Sequence, residues 1–521
     1  MGGSGQTQTH FGPHARQAPI SARDSDAFWT TDPSRTPVSA LPVDSNAQLV
    51  VDGPGQRHWL SSNNGDELSF DGPSPPHPDG GCRLVPENSV DKAVPLATHG
   101  ETHVNRANPA VRPRGWETRG RRHEKEAPMP LPFGRSARST LGVEWELQLV
   151  DQDSHDLRQS ADAVIDQATV DGELFTGIHR EMLLNTIEVT SKPRATVADC
   201  LADITSCVDF LSPIARRLRI ALAAAGTHPF ARPGRQRVTN SRRYAQLVER
   251  TQYWGRQMLL YGVHVHVGVE DRDKVLPIQA ALSTHLGHLQ AIAASSPYWA
   301  GVDTGYASNR AMVFQQLPTA GIPRHFDTWD ALESYTEDMI RTGVIKGFDE
   351  VRWDIRPSPA FGTVENRVFD AATNILEVGV FAALTHVLVE HFSRMYDAGE
   401  ALPVLPDWFI AENKWRSARY GMDAELILDP QGTTEPARDI FARLAEELAP
   451  IASDLGCAQE FDGIGTILGV GAAYERQRAA FAAARPGEGL DAVVSLMCAE
   501  MEAGRPLSLA EFATLQVPDL G

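Results

Sequence analysis

Gly142-Val-Glu-Trp-Glu-Leu-Gln-Leu-Val150 alternates between apolar and polar residues along its length. Successive side chains of a β-strand point to opposite faces, so this period of two predicts a strand with one apolar face and one face carrying Glu144 and Glu146. Neighbouring carboxylates repel each other and lose hydration when buried, unless a cation lies between them. The stretch therefore indicates either a metal site or a solvent-facing strand with ordinary surface glutamates.

Two later segments combine an apolar strand face with ionisable side chains. The first is Asn185-Thr-Ile-Glu-Val-Thr190, and the second is Gly262-Val-His-Val-His-Val-Gly268. A histidine pair opposite a face of valines favours metal or phosphate contact, although a single histidine there is more often structural. The ionisable positions on or next to these two strands are Glu181, Glu188, His264 and His266.

A pair of strands around a Pro-Ser-Pro turn is predicted between residues 351 and 370. Alternation gives each of these strands a face with acids and guanidinium groups. An acid beside an arginine can be a simple ion pair, but together with the other acidic strands it favours a cation held next to an anionic phosphate. The residues on the two faces are Arg352, Asp354, Arg356, Thr363, Glu365 and Arg367.

Two further segments supply candidate binding residues. Residues 295–310 form a long turn-rich run with interleaved aromatics, which predicts a substrate-facing loop with Asn309 and Arg310 as polar contacts. Arg416 lies in a basic helical stretch that ends at Arg419, and this stretch either faces a polyphosphate or is a solvated basic face. No Gly-Lys-Ser/Thr phosphate loop occurs in the chain, so a nucleotide would bind on the sheet through metals.

The fold class predicted from these patterns is α+β. One antiparallel sheet would carry the acids, histidines and arginines on a single face, and apolar residues recurring every three or four positions predict flanking helices. These predicted helices are Val197–Ala225, Tyr244–Leu260, Lys274–Ser295, Trp329–Gly343, Thr373–Tyr396 and Asp407–Arg419. Residues 1–138 are rich in Pro, Gly and Ser and predict a disordered extension, which leaves residues 139–521 as the catalytic domain.

Composition limits the partners and the compartment. The 521-residue chain has a net charge of -19, which argues against nucleic acid or an anionic membrane as the main partner. Its five cysteines are scattered and predict reduced thiols in a cytoplasmic protein. The N-terminus lacks the apolar core of a signal peptide, and no apolar run approaches the length of a membrane span.

Seven pieces of the chain together resemble the carboxylate–amine ligases related to glutamate–cysteine ligase type 2. The resemblance runs in order from about residue 138 to the end and does not cover the extension. The pieces are Gly-Val-Glu-Trp-Glu from 142, Asn-Thr-Ile-Glu-Val-Thr from 185, Ala-Gly-Thr-His-Pro-Phe from 225, Gly-Val-His-Val-His-Val-Gly from 262, the run from 295 to 310, Arg-Pro-Ser-Pro from 356 with Gly-Thr-Val-Glu-Asn-Arg from 362, and Glu-Asn-Lys-Trp-Arg from 412.

The resemblance implies a glutamine synthetase-like fold, in which helices flank a curved and mainly antiparallel sheet. It implies a ligase dependent on ATP and Mg²⁺, in which the γ-carboxylate of glutamate is phosphorylated and then attacked by an amine, by default cysteine. Carboxylates with few histidines and no thiolates also suit Mg²⁺ better than zinc. The oligomeric state stays open, and a homodimer is one alternative.

Residue roles follow from the same resemblance. Arg367 would meet the transferred phosphoryl group and form a catalytic pair with Glu365. Substrate or nucleotide contacts would come from His266, Asn309, Arg310, Arg356 and Arg416. The metal ligands would be Glu144, Glu146, Glu181, Glu188, His264 and Glu365.

Two other functions compete with the ligase. A metal-dependent amidohydrolase could use the His-x-His pair and carboxylates to activate water, but such enzymes usually need more histidines and a regular alternation of strands and helices. A non-catalytic relative could keep the fold and the binding of ATP and metal without turnover. Against it, every acidic and basic position named above holds a competent residue.

Overall fold

A computed structural model describes residues 131–515 together with the backbone of two short strands, Gln48–Val51 and Arg57–Leu60. The chain divides into two compact units, Met1–His123 and Glu124–Gly521. In the first unit the two short strands pair antiparallel. The rest of the predicted extension up to residue 130 lies outside the described residues. Residues 131–138 are described and belong to the second unit, where the Arg138 guanidinium donates to Glu390.

Seven strands form the sheet of the second unit, and all of their pairings are antiparallel. Their order is β6-β7-β5-β1-β3-β2, and β4 pairs with the second half of β1. This arrangement confirms the predicted α+β class with a mainly antiparallel sheet. The strands are β1 Leu141–Asp151, β2 Ile178–Arg180, β3 Thr186–Thr190, β4 Ile220–Ala223, β5 Gly262–Gly268, β6 Ile355–Ser358 and β7 Thr363–Asp370.

Helices flank the sheet and make up most of the C-terminal part. They are α1 Ala161–Gln167, α2 Val197–Arg217, α3 Arg242–Thr251, α4 Tyr253–Arg256, α5 Arg272–Thr284, α6 Leu286–Ala293, α7 Asn309–Phe314, α8 Trp329–Arg341, α9 Ile375–Asp397, α10 Asp407–Tyr420, α11 Ala437–Asp454, α12 Ala458–Val470, α13 Ala473–Ala483, α14 Gly489–Ala503 and α15 Leu509–Leu515.

Short elements complete the described fold. Three 3₁₀ turns span Pro233–Arg235, Phe348–Glu350 and Gly421–Asp423. The minor strands form three antiparallel pairs and one parallel pair, the latter between Ala320–Gly321 and Arg352–Trp353. The antiparallel pairs are Thr169–Val170 with Glu173–Leu174, Tyr298–Trp299 with Val302–Asp303, and Glu425–Ile427 with Thr434–Pro436.

Three predicted helices have wrong bounds. The helix predicted to run from Val197 to Ala225 ends at Arg217, because Arg219 adopts φ +57° and turns the chain into β4. The predicted Tyr244–Leu260 helix ends by Arg256, and Gln252 at φ +51° divides it. The predicted Lys274–Ser295 helix is two helices that meet at His285.

The apolar face of the sheet packs on α9. The Trp145 side chain of β1 is buried and donates from Nε1 to the Ala372 carbonyl, and Phe369 of β7 stacks on Phe381 with ring centroids 4.8 Å apart. Among the described helices, α9 is long and apolar enough to cross a membrane, but 83% of its apolar window is buried inside the protein. It is therefore the core helix behind the sheet.

Two buried histidines make stability depend on pH. Burial and the nearby His285 lower the pKa of His288 on α6 to about 3, and burial lowers the pKa of His228 to about 4. Both side chains are therefore neutral in the folded protein, whereas below pH 6.5 they take up protons when the protein unfolds. The stability that they contribute above pH 6.5 is therefore lost as the pH falls toward their pKa values in the folded state. The contribution of each histidine to the free energy of unfolding should fall by about 2 kcal/mol between pH 6.5 and pH 5.

We expect His288→Phe to flatten this dependence. Denaturant unfolding at pH 7.5 and pH 5.0 should show a smaller loss of unfolding free energy for the variant, by up to about 2 kcal/mol, because one titrating group is gone. The same variant at pH 7.5 alone serves as the control for any packing cost. An unchanged difference between the two pH values would contradict the assignment of a neutral buried His288.

Candidate metal and phosphate site

Strand register brings the predicted acids and histidines onto one face. Glu144 of β1 lies opposite His264 of β5, and Glu146 lies opposite Glu188 of β3. Further along the sheet, His266 lies opposite Glu365 of β7. Because cross-strand partners in an antiparallel pair lie about 5 Å apart, this register places carboxylates against carboxylates and imidazoles.

The acids form two groups with the spacing of metal ligands. One ligand atom each from Glu144, Glu188 and His264 lies within 4.8 Å of the others, and the same holds for Glu146, Glu181 and Glu188. Glu181 follows directly after β2 and reaches the second group from the chain end of that strand. Glu188 is common to both groups, so two cations bound here would share it.

Burial and mutual repulsion disfavour the charged form of three of these carboxylates. Burial and the Glu181 charge raise the pKa of Glu146 to about 8. Burial and the neighbouring acids Glu144, Glu181 and Glu146 raise the pKa of Glu188 well above its ordinary value. Burial also raises the pKa of Glu181. A divalent cation would offset this repulsion, because it favours the charged form of each ligand.

Glu144 is the exception because imidazoles surround it. Burial opposes its ionisation, but contacts with His264 and His266 hold the pKa of Glu144 well below its usual range. The His264 Nδ1 lies 2.9 Å from one Glu144 oxygen, and the His266 Nε2 lies 3.3 Å from the other. Burial, together with the Arg367 charge, lowers the pKa of His264 to about 4, so its ring is neutral, as a metal ligand must be.

The donor set fits Mg²⁺. Oxygen atoms from four carboxylates dominate the two groups, and one neutral imidazole joins them. Hard cations such as Mg²⁺ prefer carboxylate oxygen, while zinc sites are built from more histidine and thiolate ligands. The described cysteines take no part in either group.

A buried ion-pair cluster adjoins the acids. Glu365 lies between Arg356, whose Nε donates to it at 2.6 Å, and Arg367, which also pairs with it. Burial opposes ionisation of Glu365, but the two guanidinium charges lower the pKa of its carboxyl strongly. The Arg367 Nε is buried and has no hydrogen-bond partner among the residues that the structure describes. That donor is available to an anion on the acidic face.

Two arginines that the sequence did not mark as site residues lie near this cluster. Burial and the charges of Arg243, Arg367 and Arg356 lower the pKa of Arg352 to about 10. Arg243 of α3 is also close enough to Glu181 to interact with its charge. Alternation had placed Arg352 on a strand face but assigned it no role. Nothing in the sequence indicated that Arg243 lies near the site, because α3 has the pattern of an ordinary amphipathic surface helix.

Arg367 lies within a β-bulge of β7. The register between β7 and β5 shifts between Asn366 and Phe369. The Arg310 guanidinium donates to the carbonyls of Arg367 and Val368 within this bulge, at 3.2 and 3.4 Å. Arg310 is therefore committed to the backbone, whereas the sequence indicated a substrate contact.

Gly262 makes room for the Arg310 guanidinium. A Cβ atom at this position would collide with Arg310 Nη2, and the guanidinium carbon would lie only 3.0 Å away. Asn309 is likewise engaged within the protein, since its Nδ2 donates to the Ser296 carbonyl at 2.7 Å and to the Thr304 hydroxyl at 2.8 Å. The predicted loop position of both residues is wrong, because they begin helix α7.

Arg416 is not brought to the sheet face by any contact that the structure describes. Its Nε pairs with Glu412 one turn earlier on α10, and its Nη1 donates to the Glu425 carbonyl. The neighbouring Lys414 is buried and pairs with Asp354. Asp354 in turn accepts the backbone N–H of Arg367 through its own carbonyl at 2.8 Å, so Lys414 supports the strand that bears Arg367.

Comparison with known proteins identifies the class to which this carboxylate- and arginine-lined antiparallel sheet belongs: α+β ligases that form carbon–nitrogen bonds. Residues 140–495 match the model of the glutamate–cysteine ligase family 2 (GCS2). The chain belongs to this family, as the sequence motifs predicted.

Full-length relatives agree with this assignment. A protein of Leifsonia xyli subsp. xyli is 48% identical over 375 residues, which cover 72% of this chain and 99% of that protein. A protein of Mycobacterium tuberculosis is 46% identical over 372 residues, covering 71% and 97%. Both carry the name "Putative glutamate--cysteine ligase 2".

A solved structure is also similar to the chain. It is the glutamate–cysteine ligase of Francisella tularensis in complex with AMP, at 14% identity and a TM-score of 0.49. The match covers 74% of this chain and 92% of that one.

We expect Glu188→Gln to stabilise the metal-free protein and to weaken cation binding. The change removes one charge from a crowded group and one ligand from both candidate sites. In a thermal-melt assay with a chelator the variant should melt above the wild type, and its affinity for Mg²⁺ or Mn²⁺ should fall by more than about tenfold.

Glu446→Gln is the matched control because Glu446 is exposed on α11. That control should melt and respond to Mg²⁺ like the wild type. If Glu188→Gln kept the full metal-induced rise in melting temperature, Glu188 would not be a shared ligand.

Proposed function

We propose that this chain is an ATP- and Mg²⁺-dependent ligase that joins the γ-carboxylate of glutamate to an amine, with cysteine as the first candidate. The observation that carries this proposal is the juxtaposition of two carboxylate groups of ligand spacing with the Glu365–Arg356–Arg367 cluster on one sheet face. Such a face can hold cations beside a phosphoryl group, which is the requirement for phosphoryl transfer.

The proposed reaction has two steps. An oxygen of the γ-carboxylate attacks the terminal phosphorus of ATP, the bond to the bridging oxygen breaks, and ADP leaves. The amine nitrogen then attacks the acyl carbon, and the bond from that carbon to the phosphate oxygen breaks. Inorganic phosphate leaves with the proton that the nitrogen loses, and the amide is formed. Phosphorylation is needed because a free carboxylate is a poor electrophile at neutral pH.

Bound Mg²⁺ would supply positive charge that offsets the charge of the phosphate groups. The residues that would hold it are Glu144, Glu188 and His264 in one group, and Glu146, Glu181 and Glu188 in the other. The ligand set that the family resemblance implies includes Glu365, but the oxygens of Glu365 are engaged by Arg356 and Arg367. We therefore assign Glu365 to the orientation of these two arginines.

Arg367 is the residue we assign to the transferred phosphoryl group. Its guanidinium is held by an ion pair with Glu365. Its buried Nε–H group has no hydrogen-bond acceptor among the described residues. A preorganised donor of this kind stabilises charge that develops in a transition state without reorganisation. Arg352 and Arg243 add positive charge on the same side, and Arg310 holds the backbone that directs Arg367.

The amine and the compartment are further parts of the proposal. Cysteine is the candidate because the relatives are named for it. The four cysteines that the structure describes form no disulfide, which supports a cytoplasmic location. Membership of a ligase family favours this reaction over the amidohydrolase, which shares only the need for carboxylates and histidines.

Phosphate release from ATP tests the reaction directly. With Mg²⁺, release should require glutamate together with an amine, and Glu144→Gln should lower it by at least about a hundredfold because a cation ligand is lost. A panel of amines that includes cysteine identifies the second substrate. Amide cleavage without ATP would contradict the ligase, and magnesium-dependent ATP binding without turnover would indicate a non-catalytic relative.

We expect Gly262→Ala to lower kcat by tenfold or more, about 1.4 kcal/mol, because the new Cβ displaces the Arg310 guanidinium and releases the bulge that directs Arg367. Arg310→Met should have a similar effect, and the double variant should be little worse than either single one, since both act through one contact.

Gly465→Ala is the control, because a Cβ at that helical position meets no atom within 4 Å. Steady-state kinetics of the wild type and the four variants provide the measurement. If the losses of kcat from Gly262→Ala and Arg310→Met were additive in the double variant, the two substitutions would not act through the same contact between Arg310 and the bulge.

A further inference from the structure

Arg352 is a cation without an acidic partner beside the candidate site. Its side chain is partly buried, and its Nη1 donates to the Glu350 carbonyl at 2.9 Å. The neighbouring Arg356 and Arg367 both pair with Glu365. Among the residues that the structure describes, Arg352 itself has no ion-pair partner. A partly buried guanidinium group without a counter-ion favours binding of an anion from solution.

Arg243 brings a second guanidinium group to the same place from α3. The segment just before α3 contacts the second acidic group, since a threonine hydroxyl there donates to the Glu181 carbonyl at 2.6 Å. Helix α3 itself lies against the segment that leads to Arg352, because Lys346 donates from Nζ to Gln246 at 2.8 Å. Arg243 is close enough to Arg352 for their charges to repel each other. A single anion bound by both would offset this repulsion.

The main chain limits the distance between Arg352 and Arg367. The backbone N–H of Arg367 donates to the Asp354 carbonyl at 2.8 Å, and Arg352 lies two residues before Asp354. Two residues of chain span at most about 7 Å, and the two carboxyl carbons of an extended glutamate are about 5 Å apart. A glutamate whose γ-carboxylate lies at Arg367 therefore has its α-carboxylate within reach of the Arg352 side chain.

We propose that Arg352 and Arg243 bind the α-carboxylate of the amino-acid substrate whose γ-carboxylate is phosphorylated next to Arg367. The proposal rests on the proposed ligase function and makes the two arginines determinants of substrate specificity. Guanidinium groups suit this role because their planar set of donors matches the two oxygens of a carboxylate. The bound carboxylate would also supply the counter-ion that Arg352 lacks among the described residues.

Calorimetric titration of the full chain with glutamate, in the presence of Mg²⁺ and ADP, tests the site without turnover. Arg352→Met should weaken glutamate binding by about thirtyfold or more, because charge-assisted hydrogen bonds are lost, and Arg352→Lys should recover part of the affinity. Arg243→Gln should also weaken binding, and it opens no cavity in the core because no residue of α3 is buried. Arg341→Met is the control, since Arg341 is exposed on α8, and it should bind glutamate like the wild type.

A second substrate, 4-aminobutyrate, separates recognition of the α-carboxylate from damage to the fold. It keeps the amino group and the γ-carboxylate of glutamate but lacks the α-carboxylate. For phosphate release by the wild type, kcat/KM should be at least about a hundredfold higher with glutamate than with 4-aminobutyrate. Arg352→Met should lower kcat/KM for glutamate by about thirtyfold or more and leave kcat/KM for 4-aminobutyrate almost unchanged, whereas a damaged fold would lower both.

Equal losses of kcat/KM for the two substrates would overturn the proposal, as would a wild type that binds glutamate no better than Arg352→Met does. A higher KM for ATP in Arg352→Met, with glutamate binding intact, would also overturn it, because the bound anion would then be a nucleotide phosphate. Glutamate binding that depends on Arg352 but leads to no phosphate release would support the carboxylate site and contradict the proposed ligase function instead.

Discussion

Repulsion between buried carboxylates is the constraint on which the rest of the structure depends. Glu144, Glu146 and Glu188 lie on adjacent antiparallel strands, and Glu181 joins them from the end of a third. In the protein alone, burial and mutual repulsion push the pKa values of three of these groups upward. Such an arrangement opposes folding, so it indicates a function that requires the charges, and binding of cations is the function that fits.

The remainder of the fold stabilises this unfavourable face. Behind the sheet, α9 packs on the apolar side of β1 and β7 and supplies the buried core that the acidic side cannot. Beside the acids, Arg356 and Arg367 neutralise Glu365 and place positive charge next to the candidate cations. The strand face therefore separates into an acidic half and a basic half, and a phosphoryl group between two such halves would meet opposite charge through metals on one side and guanidinium groups on the other.

The sequence predicted which residues share a face but not how the strands align. Period-two alternation placed Glu144 with Glu146 and His264 with His266, because that period is a local property of each strand. The pairing of Glu146 with Glu188 depends on register, which the tertiary fold decides. The sequence predicted a helix where strand β4 lies, because its Ala-rich run shows no alternation of apolar and polar residues. The run forms a strand by pairing with β1. Arg243 and the role of Arg310 were missed because a surface helix and a bulge leave no periodic signal.

The measurement that tests the central claim most directly is a crystal structure grown with Mn²⁺, examined by its anomalous signal. The account predicts two cations on the sheet face, one held by Glu144, Glu188 and His264 and the other by Glu146, Glu181 and Glu188, with Glu188 bridging them. A map without anomalous density at these carboxylates, or with manganese bound only elsewhere, would contradict it.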